Sequence, residues 1–182
     1  MAAPGGRHRL GPGSGHLLVH TRREGLAAKI GHDLTIEITD WSADVEVPDD
    51  PAQTRLTVRV GLGSLAVREG TGGAAPLTDA DRREIRRNAD KALAVDRYPA
   101  AVFTADRVQP GAGVVDGRLT LHGVTRPVQL RVSRVGPGRY RGTATVTQSE
   151  YGIRPYSAFL GALRIRDAVA VEFEVDVGRA VP

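Results

Sequence analysis

Hydrophobic and polar residues alternate with period two along most of this chain. The last stretch is the clearest: Val169, Val171, Phe173, Val175 and Val177 alternate with Ala170, Glu172, Glu174 and Asp176. Successive side chains of a strand point to opposite faces, so each such run predicts a strand with one dry face. Leu17, Val19 and Thr21 stand against Leu18 and His20, and Leu34, Ile36 and Ile38 against Thr35, Glu37 and Thr39. The apolar set then shifts phase to Trp41, Ala43, Val45 and Val47. A strand cannot change face without an extra residue, which predicts a bulge or bend near Thr39–Asp40. Leu56, Val58, Val60 and Leu62 continue the pattern, with Leu65 and Val67 beyond Gly61 and Gly63. Ala101, Phe103 and Ala105 alternate next. Val115 to Val135 carries two strands hinged near Gly123, and Gly142, Ala144 and Val146 then alternate with Thr143, Thr145 and Thr147.

One segment has the helical period instead. Thr78 suits an N-cap, Asp79 and Asp81 follow in the first turn, and Ile85, Ala89, Ala92 and Leu93 form one narrow apolar stripe. These signals predict a helix over about residues 79–93. A shorter helical turn is expected within 24–32, stopped by Gly31. With about eight strands and one helix, the expectation is an all-β, lipocalin-like antiparallel β-barrel. It occupies one domain, residues 14–178. Residues 1–13, rich in Gly and Pro, are expected to be a disordered lead-in.

Composition narrows the function. The chain has 182 residues, enough for one domain, and its 4% aromatic content argues against a sugar- or base-stacking platform. The net charge of +4 comes from Arg interleaved with Asp and Glu, which is a solvated surface rather than a nucleic-acid footprint. There is no cysteine, so thiol catalysis and cysteine-ligated metals are excluded. No apolar h-region opens the chain and no run is long enough for a membrane span, so a cytoplasmic location is expected.

Candidate chemistry is sparse. On a strand, His16 and His20 share a face but stand about 13 Å apart, too far to chelate one ion. His32 and His122 have no ligands at suitable spacing and are expected to bond backbone or carboxylate groups at strand ends. Ser64, Ser149 and Ser157 lack a nucleophile elbow, and Gly111-Ala112-Gly113 and Gly136-Pro137-Gly138 are turns, not phosphate loops. No catalytic residue, metal ligand or cofactor is assigned.

Three stretches resemble the YceI-like lipid/polyisoprenoid-binding family. The most specific is Val115-Asp-Gly-Arg-Leu-Thr-Leu-His-Gly-Val-Thr-Arg-Pro-Val-Gln-Leu-Arg-Val132. It is similar to that family's G-x-L-T-[IL]-H/N-G-V-T-[KR]-P-V signature. Arg97-Tyr98-Pro99 with Phe103 resembles the family's strand entry, and Gln148 to Ile153 with Asp167 to Val177 resembles its last two strands. The likeness covers about Gly15 to Val177. Many members are exported, and Gly31-His32-Asp33-Leu34 replaces the aromatic-rich opening of the better-known ones.

The resemblance implies a lipocalin-like barrel that carries or sequesters a long isoprenoid or fatty-acyl amphiphile without catalysis. The expected interior lining is Ile36, Ile38, Val58, Phe103, Leu119, Leu121, Ala144, Val146, Val171 and Phe173. Ala101, Ala105, Gly142 and Ala144 are expected to leave room for a guest, and Arg154, Arg164 or Arg166 to meet its head group at the mouth. A homodimer is compatible with this reading; nucleic acid is not an expected partner. Two alternatives stay open. One is an enzyme acting on a hydrophobic small molecule through His32–Asp33 or His122, and the other is a packed structural or partner-binding module.

Overall fold

A computed structural model describes residues 5–179. The first half of the chain runs β1 (Gly6–Leu10), β2 (Gly15–Thr21), β3 (Arg23–Glu24), β4 (Asp33–Ile38), β5 (Trp41–Val47), β6 (Arg55–Gly61) and β7 (Leu65–Thr71). After α1 (Asp79–Ala92) come β8 (Ala100–Gln109), β9 (Val114–Leu121), β10 (Val124–Gly136) and β11 (Arg139–Thr147). The short β12 (Ser157–Ala158) and β13 (Leu163–Ile165) precede β14 (Ala168–Asp176). Eleven strands make one antiparallel sheet in the order β1-β5-β6-β8-β9-β10-β11-β14-β2-β4-β7, and β12-β13-β3 form a small second sheet.

The all-β class and the single α-helix agree with the sequence pattern; the strand count does not. The large sheet has eleven strands, not eight. The most instructive addition is β1, which lies inside the segment expected to be disordered. It pairs with β5 from Gly6↔Val47 to Leu10↔Ala43. Only Leu10 in it is buried, so its order comes from backbone pairing that no hydrophobic pattern announces. The stretch Gln148–Tyr151, which resembled a strand, is a 3-10 turn.

The phase shift at Thr39–Asp40 is a corner. Strand β4 pairs with β2 and β7, whereas β5 pairs with β1 and β6, so the chain crosses from one limb of the sheet to the other there. The Thr39 N–H donates to the Ser64 carbonyl at 3.2 Å and the Gly61 N–H to the Asp40 carbonyl at 2.9 Å, pinning the two limbs together.

The sheet does not close by hydrogen bonds, since β1 and β7 are its two edges. It closes by side chains. Leu10, Trp41 and Ala43 of one limb pack with Leu17, Ile36, Ile38 and Leu65 of the other in a single core cluster. The helix seals the β7 edge. Thr78 and Asp81 form a capping box, and Ile85, Ala89 and Leu93 pack on the core. From the same helix, Arg82 donates to the carbonyls of Val67 (3.1 Å) and Arg68 (3.2 Å), and Arg86 to those of Leu65 (2.7 Å) and Gly63. Two arginines thus take the place of a twelfth strand, satisfying edge carbonyls that would otherwise template association.

Candidate functional site

Strand register decides which side chains face inward. Phe103 lies opposite Val58 and Leu119, Ala144 opposite Val171, Val146 opposite Val169, and Ile36 opposite Val19. All ten residues expected to line the interior therefore sit on the concave face. Ile36, Ile38, Phe103 and Leu121 are fully buried, while Val58, Leu119, Ala144, Val146, Val171 and Phe173 are half-buried. On the outer face Arg118 and Thr120 are exposed, as alternation requires. Glu172 and Glu174 also point outward but are partly covered. Glu174 takes hydrogen bonds from Arg139 and Arg141, which hold its carboxyl below the usual range.

Two packed clusters bound the interior. The first is the limb-to-limb core. The second joins Leu62, Ala101, Leu121, Tyr151 and Ile153, with Val124 and Val146 against it, at the end marked by the β9–β10 turn. Between them lies an apolar floor that sequence reasoning did not single out. Val128, Leu130 and Val132 of β10 face inward, opposite Gly117, Val115 and Gly142. All three are half-buried, and they belong to neither cluster. An inward aliphatic side chain that keeps exposure faces space, not neighbours. Their alternation with Gln129, Arg131 and Ser133 is legible in the sequence. Arg126 and Arg134 share this face and flank the floor, Arg126 donating to the Glu150 carbonyl at 3.3 Å.

The small inward residues do not all leave room. A Cβ on Gly142 would land inside the ring of Phe173, its partner across the β11–β14 pair, and one on Gly117 would meet the Phe103 ring. Each glycine is a seat for an aromatic ring, a cross-strand device that fixes register and fills the space the missing side chain leaves. The volume expected at Gly142 is therefore taken by Phe173, which leaves Ala105 and Ala144 as the small positions beside the floor.

Two interior groups carry unmatched polarity. The Trp41 indole nitrogen and the Tyr151 hydroxyl are buried with no hydrogen-bond partner. Burial also pushes the Tyr151 phenol above its ordinary pKa.

The histidines take structural places. His122 opens the β9–β10 turn at φ 54° ahead of Gly123 at 76°, the two positive dihedrals a tight two-residue hairpin needs. Its Nδ1 lies 2.9 Å from the Tyr151 carbonyl and its ring 5.0 Å from that of Tyr98. His32 Nε2 lies 2.7 Å from the Ala75 carbonyl, and Asp33 accepts from the Arg23 N–H at 2.9 Å. Among the described residues no three His, Asp or Glu side chains converge as a metal site would require. Arg154 and Arg164 are exposed on the 152–167 excursion outside the large sheet, with Arg164 3.7 Å from Glu24. Surface pockets lie elsewhere: a polar one of about 90 Å³ beside His20, Thr21 and Asp33, and an open one of about 510 Å³ at the C-terminal end of α1.

A model of the YceI-like domain matches residues 19–177, from within β2 through β14. The chain belongs to the YceI-like family. Relatives include a UPF0312 protein of Shewanella baltica, 29% identical over 127 residues, and one of Shewanella putrefaciens at 28%. Each match covers 63% of this chain and 61% of the relative's length. Among solved structures, Burkholderia cenocepacia BcnA superposes with a TM-score of 0.58 at 16% identity, over 87% of this chain and 94% of its own. A mutant CJ YCEI protein with a monobromobimane guest superposes at 0.53 and 15% identity, over 77% of this chain and 81% of its own. At these identities the two structures establish the lipocalin-type fold.

Proposed function

We propose that this YceI-like domain binds an elongated amphiphile, a polyisoprenoid or fatty-acyl chain, against the concave face of its sheet and does so without catalysis. The observation that carries the reading is the half-buried floor of Val128, Leu130 and Val132, packed in neither core cluster, with Ala144 beside it and Leu119 and Val171 leading into the clusters on either side. Covering such side chains is favourable at about 0.8 kcal/mol per CH₂ of guest buried, enough for useful affinity without a strong polar anchor. In this reading the head group meets Arg126, which shares the floor's face, rather than Arg154 or Arg164 outside the sheet. The unpartnered Trp41 and Tyr151 donors favour a guest that carries an acceptor oxygen.

The test is solvent extraction of the purified protein followed by mass spectrometry. A stoichiometric long-chain amphiphile supports carriage. A chemically altered one released over time would support an enzyme, and extraction of nothing, together with no uptake of added lipid, would leave a packed module.

A further inference from the structure

The turns beside the second sheet hold the most exposed apolar side chains of the described residues. Leu26 is 99% and Leu160 110% exposed, Phe159 65% and Ile30 48%. Single exposed hydrophobics are ordinary, but these four sit on two loops that touch. The Ala27 N–H donates to the Ala162 carbonyl at 2.8 Å, and Gly25 and Gly31 lie against Ala162 and Leu163. The 159–161 turn holds three successive positive dihedrals, Phe159 at 50°, Leu160 at 55° and Gly161 at 90°. Bulky side chains seldom adopt this backbone region, and here it points two of them at solvent.

The surroundings select the partner. Segments 22–31 and 152–167 carry Arg22, Arg23, Lys29, Arg154, Arg164 and Arg166 against Glu24 and Asp167. Asp33 nearby pairs with Arg22 at 3.5 Å and Arg23 at 4.0 Å, and Glu24 with Arg164 and Arg166 at 3.7 and 3.9 Å. Lys29 and Arg154 are in no ion pair among the described residues. Tyr156, 43% exposed, stands in the same excursion. An apolar tip whose two segments also carry an excess of cations and an exposed tyrosine matches the layered chemistry of an anionic bilayer surface: acyl chains below, phosphates above. No helix among the described residues is long and apolar enough to cross a membrane, so the contact would be peripheral.

We propose that the tip formed by Leu26, Ile30, Phe159 and Leu160 docks this protein on an anionic lipid surface, with Lys29 and Arg154 meeting the phosphates. The proposal does not depend on what the interior holds. Flotation with vesicles of phosphatidylglycerol and phosphatidylcholine tests it directly. The native protein is expected to float with mixed vesicles and much less with pure phosphatidylcholine. Leu26→Ser/Leu160→Ser should weaken flotation at least about ten-fold while leaving the Tm unchanged, because neither side chain is packed. Lys29→Glu/Arg154→Glu should abolish the preference for anionic lipid. Absence of flotation by the native protein would overturn the proposal. So would flotation indifferent to the leucine substitutions, or sedimentation showing that they dissociate a dimer instead.

Discussion

Gly142→Ala is the most informative single change in the interior. Its new methyl group would occupy the space of the Phe173 ring, which must then swing off β11 toward the floor. Overpacking of this kind costs roughly 1–3 kcal/mol, and replacing a strand glycine by alanine returns about 0.5–1 kcal/mol of chain entropy. The net loss is therefore up to roughly 2.5 kcal/mol, which for a domain of this size lowers the Tm by up to roughly 10 °C. Two further readings separate ring displacement from a general defect. Phe173→Leu in the Gly142→Ala background should recover much of the loss, with a coupling of about 1 kcal/mol or more in a double-mutant cycle. Because the displaced ring moves into the guest's space, affinity for a fatty-acyl probe should fall by more than stability does. Denaturant melts of the four proteins and probe titrations of the folded ones give both numbers. A Gly142→Ala protein as stable as the parent, with additive effects and unchanged probe binding, would refute the seating of Phe173 on Gly142.

Tyr151→Phe removes a buried hydroxyl that has no partner, so the Tm should hold or rise; a large fall would mean that the hydroxyl is bonded. The same substitution should flatten the alkaline limb. The folded phenol stays neutral above pH ~10 while the unfolded one ionises, so this contribution is lost as pH rises beyond that point. Glu174→Gln should remove stability at neutral pH but little in strong acid. The folded carboxyl titrates below its ordinary range, and its contribution is present above that range and lost as pH falls through the lowered value. Arg82→Met/Arg86→Met keeps the apolar stems but uncovers the β7 carbonyls. It should cost about 1–3 kcal/mol and promote concentration-dependent association, read by melting and light scattering.

How much of this was legible in the chain depends on where side chains, rather than backbone, set the structure. The inward set from Ile36 to Phe173 was readable because alternation marks a face directly, and the Thr39–Asp40 corner because a phase shift has a geometric cause. Strand β1 was not, since Arg7, His8 and Arg9 carry no apolar signal and the strand exists through pairing with β5. The role of Arg82 and Arg86 was hidden for a related reason. On a helical wheel they are solvated cations, and only the missing neighbour of β7 turns them into an edge cover. In the sequence Gly142 implies empty volume because its occupant, Phe173, lies 31 residues away, a separation that register alone resolves. The floor of Val128, Leu130 and Val132 shows the converse: its pattern was visible, but its incomplete burial is a property of the folded sheet.

Trp41 supplies a direct test of the central claim. It is the sole tryptophan of the chain, buried on the concave face of β5 within the limb-to-limb core. Any probe seated inside the curled sheet must lie close to it. Titration with a fluorescent fatty-acyl or prenyl probe, exciting Trp41 and reading energy transfer, should give a saturable, equimolar signal that an unlabelled isoprenoid reverses and that Leu130→Phe/Ala144→Phe blocks in a folded protein. No transfer at tens of micromolar protein, or transfer that survives those interior substitutions, would contradict a guest held against this face.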